Sequence, residues 1–153
     1  MMLALKPMNS KDVKHVKQLL KEQFGIAALP DGFFFINKEH KLYFINRDVD
    51  RVDFEQLRID TLGMYFGELE EDGIRLSMDA CQLLGQNASK NVLLLTAGQL
   101  EHWVKGETMN WASDTRGFVL VRYGNDFLGC GKLGKDKLYN YVSKSRKLKV
   151  LNA

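Results

Sequence analysis

The last third of the chain leaves little choice of architecture. Residues 117–142 read GFVLVRYGNDFLGCGKLGKDKLYNYV: three short runs rich in β-branched and aromatic residues, GFVLVRYG, DFLGCGKLG and KLYNYV, with turn-forming residues between them. Such runs predict strands, and the connections have no room for the helix of a βαβ unit. The middle run contains Gly129-Cys130-Gly131-Lys132-Leu133-Gly134, which spells G-x-G-x-x-G. A dinucleotide fingerprint needs that turn to open a helix, with an acidic residue about 20 positions on, and only 19 residues follow Gly134, none of them acidic near that place. A kinase-type glycine loop would need downstream H-R-D and D-F-G motifs, which are missing. A P-loop would need Ser or Thr where Asp136 follows Lys135. Inside a strand, glycines two apart instead strip side chains from one face, permitting curvature, a bulge or close approach of another backbone. Gly129 and Gly131 are therefore expected to leave a bare face, open to an RNA backbone, and Gly134 to begin the turn GKDK.

Upstream, NSKDVKHVKQLLKEQFG sets Val13, Val16, Leu19, Leu20 and Phe24 at helical spacing between an Asn9 or Ser10 cap and a Gly25 stop. GFFFIN and KLYFINRDV, joined by KEH, predict a hairpin, and VDFEQLRI a short helix. LGMYFGELEEDGIRLS predicts a second hairpin turning at Asp72-Gly73, and SMDACQLLG a short helix with Cys81 and Leu84 on its apolar side. Glu68, Glu70, Glu71 and Asp72 read as solvated charge at the hairpin tip rather than a metal site. The polar stretch GQNASKN, residues 85–91, suggests a boundary. Beyond it VLLLT predicts a strand and TAGQLEHWVKG a helix, with a Thr96–Gln99 capping box, Leu100, Trp103 and Val104 inward, and Gly106 as the stop. His15 reads as a solvent residue. His102 reads as a lone imidazole without a ligand or carboxylate at useful spacing. No metal or catalytic constellation is found, and no cofactor is expected.

Charge is distributed unevenly. Residues 1–116 hold 14 Lys/Arg against 17 Asp/Glu, whereas residues 117–153 hold 8 against 2. A basic block on an otherwise mildly acidic chain suits a polyanion such as RNA, or is a solvated lysine-rich tail. The start, MMLALKPMNS, lacks a secretory leader, and no window is apolar enough for a membrane span, which predicts a cytoplasmic protein with no membrane partner. Cys81 and Cys130 fit reduced thiols in that setting.

LTAGQLEHWVKGETMN followed by GFVLVRYGNDFLGCGKLGKDKLYNYVSKSRKLKVL resembles the PUA-like RNA-binding domain that ends Sun-family (Fmu-type) RNA cytosine-5 methyltransferases and their stand-alone relatives. Lys105, Gly106, Glu107, Gly117, Gly129, Gly131, Lys132, Leu138, Asn140, Lys144 and Arg146 carry the likeness, which is strongest over residues 90–151. It departs at Ser143, where proline is usual, and at Cys130, where the family often has an aromatic residue. It also departs in lacking a Pro-Cys nucleophile motif, because Cys81 follows Ala80 and Cys130 follows Gly129. The resemblance implies the RNA-binding end without the S-adenosylmethionine-dependent catalyst.

The residues add their own chemistry. On a strand over 137–142, Lys137, Tyr139 and Tyr141 line one face, which suits phosphate contact combined with base stacking or, alternatively, tyrosines packed in a barrel. Lys144, Arg146, Lys147 and Lys149 form a basic strip, Arg122 and Lys135 belong to the same block, and Trp111 is expected as an exposed stacking ring, with Trp103 in the core. The expectation is an α+β chain: an N-terminal helix-plus-antiparallel-sheet domain over 1–87 and a C-terminal PUA-like β-barrel over 88–153. It would bind structured rRNA or tRNA without catalysis through Lys105, Gly106, Trp111, Arg122, Gly129, Gly131, Lys132, Lys135, Lys137, Tyr139, Asn140, Tyr141, Lys144, Arg146 and Lys147. The alternative is an adaptor whose N-terminal domain recruits a separate RNA-modification enzyme or ribosomal protein.

Overall fold

The computed structural model describes residues 5–46 and 63–141. The expected helix VDFEQLRI, Ser143, the basic positions Lys144, Arg146 and Lys147, and the terminal RKLKVL lie outside the described residues.

Helix α1, Ser10–Phe24, begins where Asn9 accepts the Asp12 N–H at 2.8 Å through its side chain. It ends at Gly25, whose φ of 68° lets the Gly25 and Ile26 N–H groups bond back to Lys21 and Leu20 carbonyls. Val16, Leu20 and Phe24, one turn apart, are its fully buried stripe. They pack on an antiparallel sheet of β1 (Lys6–Pro7), β2 (Gly32–Ile36), β3 (Lys41–Asn46), β4 (Met64–Glu70) and β5 (Gly73–Leu76), in that spatial order. Phe34, Phe44 and Phe66 interlock beneath the helix, Phe34 lying 5.0 Å from each of the other two rings. The second hairpin turns one residue earlier than expected. Glu70 pairs with Gly73, so Glu71 and Asp72 are the loop, and Gly73 takes the positive φ. On the edge of β5, the Gln23 amide gives and receives a hydrogen bond with the Ile74 backbone, replacing a neighbouring strand.

Helix α2, Met78–Leu84, starts at Ser77, whose hydroxyl accepts the Ala80 N–H, and buries Ala80, Cys81 and Leu84. The chain then makes a short 3₁₀ turn at Gly85–Asn87. The stretch expected as a polar boundary is tied down: Ser89 and Lys90 N–H groups bond the Phe24 carbonyl, and the Asn91 amide bonds that of Gln23. These bonds satisfy carbonyls that the end of α1 leaves open.

The second sheet has β6 (Val92–Leu94), β8 (Gly117–Tyr123), β9 (Asp126–Gly134), β10 (Lys137–Asn140) and β7 (Met109–Asn110) in that spatial order. Strand β6 runs parallel to β8 and the other pairings are antiparallel. Helix α3, Ala97–Val104, connects β6 to β7 and carries the expected capping box, with both Thr96–Gln99 hydrogen bonds formed.

Alternation along β8 determines how the sheet is used. Phe118 and Leu120 join Phe127 and Cys130 in the cluster built by α1, α2 and the first sheet. Val119 and Val121 face the other way, with Leu133 and Leu138, against Trp103 of α3. The central strands are thus covered on both faces, and one hydrophobic cluster runs across the stretch where the expected 87/88 division falls. Among the described residues, no helix is long and apolar enough to cross a membrane.

Candidate nucleic-acid interface

The G-x-G-x-x-G stretch lies wholly within β9. The expectation that Gly129 and Gly131 leave a bare RNA-facing surface is corrected, since both are buried. Gly129 sits at a bulge with φ 140°, where Val121 pairs with it but Arg122 pairs with Phe127. A Cβ on Gly131 would come within 2.8 Å of Leu138 Cδ1, 2.9 Å of the Tyr139 carbonyl oxygen and 3.3 Å of Trp103. The absence of a side chain at Gly131 admits the Trp103 ring against the sheet. Cys130, buried between them, offers no stacking surface.

Gly134 does open a tight turn. Lys135 and Asp136 are its two loop residues, both left-handed at φ 47° and 59°, as a type I′ hairpin requires. The Asp136 carbonyl accepts the Trp111 N–H at 2.8 Å, and Lys137 Nζ donates to Asn110 Oδ1 at 3.2 Å. The turn therefore gathers Lys135, Lys137 and the 110–111 segment. Trp111 is not the exposed ring expected: it is half-buried against the Trp103 cluster.

Strand β10 shows the predicted alternation. Leu138 is fully buried, Lys137 is exposed, and Tyr139 and Tyr141 keep 40% and 41% of their surface in solvent. Asn140 points the opposite way from the tyrosines and donates to the Trp103 carbonyl at 2.9 Å, so it holds the C-terminal end of α3. Lys105 is exposed beside Glu101 at 3.4 Å, and Gly106, at φ 80°, ends the helix. Arg122 is not brought to this group. It lies at the far end of β8, about 16 Å along the strand from Gly117, half-buried, with its Nε in no hydrogen bond among the described residues.

Lys132 shares its face with Tyr139, its cross-strand partner, and reaches the other sheet. Its ammonium lies 2.6 Å from Asp72 Oδ2 and 4.9 Å from the centre of the Phe118 ring. The hydrogen bond with Lys132 holds the Asp72 carboxyl below its ordinary range, and Asp72 raises the lysine in return. Alongside, Arg75 is clamped by Glu68 and Glu70, and its guanidinium covers the Tyr141 ring at 4.7 Å. Burial opposes the charge of Arg75, but the bonds to Glu70 and Glu68 outweigh it and leave its pKa raised. Of the hairpin-tip carboxylates expected to be merely solvated, Glu68, Glu70 and Asp72 are thus engaged with Arg75 and Lys132, while Glu71 is exposed. His102 also has a partner that spacing arguments missed, Glu107 at 3.1 Å.

Burial pushes the Cys130 thiol up to about 12 and raises Cys81 as well, which suppresses thiolate chemistry. Among the described residues, no group of three or more His, Cys, Asp or Glu side chains could hold a metal ion.

Comparison with known proteins bears on the same region. Residues 90–147 match the family described as the methyltransferase RsmF PUA domain. The chain is also similar to the ribosomal RNA small subunit methyltransferase F of Aeromonas hydrophila, at 28% identity over 132 residues, which is 82% of this chain and 26% of the relative. It therefore spans about a quarter of the length of the curated relative it matches. The matched segment, residues 90–147, is the part of the chain that contributes the second sheet and α3.

Proposed function

We propose that the chain is a non-catalytic RNA-binding protein whose residues 88–153 form a PUA-like barrel that grips structured RNA, rRNA or tRNA, along β10. The observation that carries this reading is the exposed face Lys137–Tyr139–Tyr141, next to Lys135, within the segment that matches an RNA-methyltransferase PUA domain. Lysine beside tyrosine supplies phosphate neutralisation and base stacking on one strand, a pairing of sequence-tolerant contacts. The name of the relative, ribosomal RNA small subunit methyltransferase F, favours rRNA.

The test is fluorescence anisotropy of the whole chain with small-subunit rRNA fragments across a salt series. Affinity should fall as salt rises. Lys137→Ala should make that dependence shallower by about 0.7–0.9 in log–log slope, the value of one lost phosphate contact. Tyr139→Ala should weaken binding by about 1–3 kcal/mol, the value of one lost stacked base. No binding at low salt, or no effect of either substitution, sinks the reading.

A further inference from the structure

Resting on that RNA-binding reading, we infer that the hairpin tip of the first sheet selects RNA with an unpaired nucleotide over continuous duplex. It does so by barring phosphates from the Tyr141 end of β10 while leaving a base free to stack there.

The two ends of β10 differ in kind. At one end Lys135 and Lys137 are exposed, with Lys137 bonded, among the described residues, to the neutral Asn110 amide. At the other end, roughly 13 Å along the strand, Arg75 covers Tyr141 and Lys132 lies on the same face, and among the described residues both cations are already matched. Arg75 shares its single charge between Glu68 and Glu70, and Lys132 is held by Asp72, whose side chain is half exposed. Glu71, next to Asp72 in the loop, adds a further exposed negative charge. Among the described residues, a phosphate arriving here would meet carboxylates in the places where it would need cations, and like charges at such range oppose binding. The aromatic surface has no such bar. Tyr141 is braced on one side by Arg75 and keeps 41% of its surface exposed.

In a duplex the bases are paired and stacked, and the chain of phosphates is continuous, so a helix laid along β10 would bring backbone onto Asp72 and Glu71. An unpaired nucleotide can instead turn its base onto Tyr141, with its phosphates kept toward Lys135 and Lys137. The lone pairs that Arg75 leaves on the carboxylates can accept amino hydrogens from a base edge.

The experiment compares the full chain's binding to a short single-stranded RNA and to the blunt duplex of the same sequence at one salt concentration. The single strand should bind at least about tenfold tighter, and Tyr141→Ala should reduce its affinity by roughly 5- to 150-fold, the loss of one stacked base. Tyr141→Phe should restore it. The double variant Asp72→Asn, Glu71→Gln should raise duplex affinity and narrow the gap, with the single strand little changed. Equal binding of the two RNAs by the wild type, or an equal gain for both in the double variant, overturns the inference and leaves RNA binding standing. Binding to neither RNA overturns the RNA-binding reading itself.

Discussion

Gly131→Ala isolates what the glycines of β9 are for. The added methyl would lie 2.8 Å from Leu138 Cδ1, 2.9 Å from the Tyr139 carbonyl oxygen and 3.3 Å from Trp103. The leucine methyl can rotate away, but the carbonyl belongs to the strand paired with Gly131, and Trp103 is only 1% exposed and walled in by Val119, Val121 and Leu133. Overpacking of this kind costs about 1–3 kcal/mol. At about 2–4 °C per kcal/mol for a chain of this size, the midpoint of thermal unfolding should fall by roughly 2–12 °C. Gly134→Ala is the control. Its nearest neighbour would be 3.7 Å away, an ordinary contact, and stiffening the unfolded chain favours it slightly, so no loss is expected. Both variants are measured by thermal and urea unfolding, with RNA affinity taken on the folded protein. A phosphate cradle would predict the opposite pattern, in which binding is lost and stability kept. That outcome, or a Gly131→Ala protein as stable as the wild type, refutes the packing account.

Asp72 has a lowered folded pKa, so its ion pair with Lys132 stabilises above about pH 4 and the contribution disappears as pH falls through the folded value. Being half exposed, the pair is worth at most about 1 kcal/mol; the gap between wild type and Asp72→Asn in urea should have that size at pH 7 and close in acid, and a gap that persists in acid contradicts the assignment. With Cys130 pushed up to about 12 and Cys81 raised by burial, neither thiol should react with an aromatic disulfide at pH 8 faster than the protein unfolds, and a fast phase in native buffer would count against this. A fragment beginning at residue 88 would uncover Phe118, Leu120 and Phe127, each worth about 1.5–3 kcal/mol when buried. It should show no cooperative melt, and one resembling that of the whole chain would refute a shared core.

Local signals are legible in the sequence because they act over a few residues. The Asn9 cap, the Gly25 stop, the Thr96–Gln99 box and the strand alternation of Lys137, Leu138 and Tyr139 all appear where the sequence put them. What spacing does not carry is which neighbouring element a face meets. Gly129 and Gly131 do share strand β9, but no periodicity states that Trp103, from a helix, fills the space beside Gly131. Trp111 lies beside the KGE turn and looked exposed, yet its backbone bond to Asp136 draws it in against the core. Arg75 was overlooked altogether. Its one sequence signal was the lone cation after Glu68, Glu70, Glu71 and Asp72, and its role follows only from a sheet pairing that brings it to a tyrosine 66 positions away.

The site is the outward side of a strand held from every inward direction. Strand β10 is paired with β9 on one edge and β7 on the other, Leu138 anchors it in the core, and Asn140 pins it to the end of α3. Tyr139 therefore projects from backbone that has little freedom left to lose, and a ligand stacking on it would pay less for ordering the protein. The same restraint fixes where Lys132 must reach. It shares the tyrosine face, which along β8 and β9 is the face packed against the first sheet, so its ammonium meets Asp72. A basic residue that reads as a phosphate contact in the sequence becomes a bridge between sheets, and the phosphate contacts of the proposed RNA-binding face would fall to Lys135 and Lys137, which no carboxylate in the described structure engages.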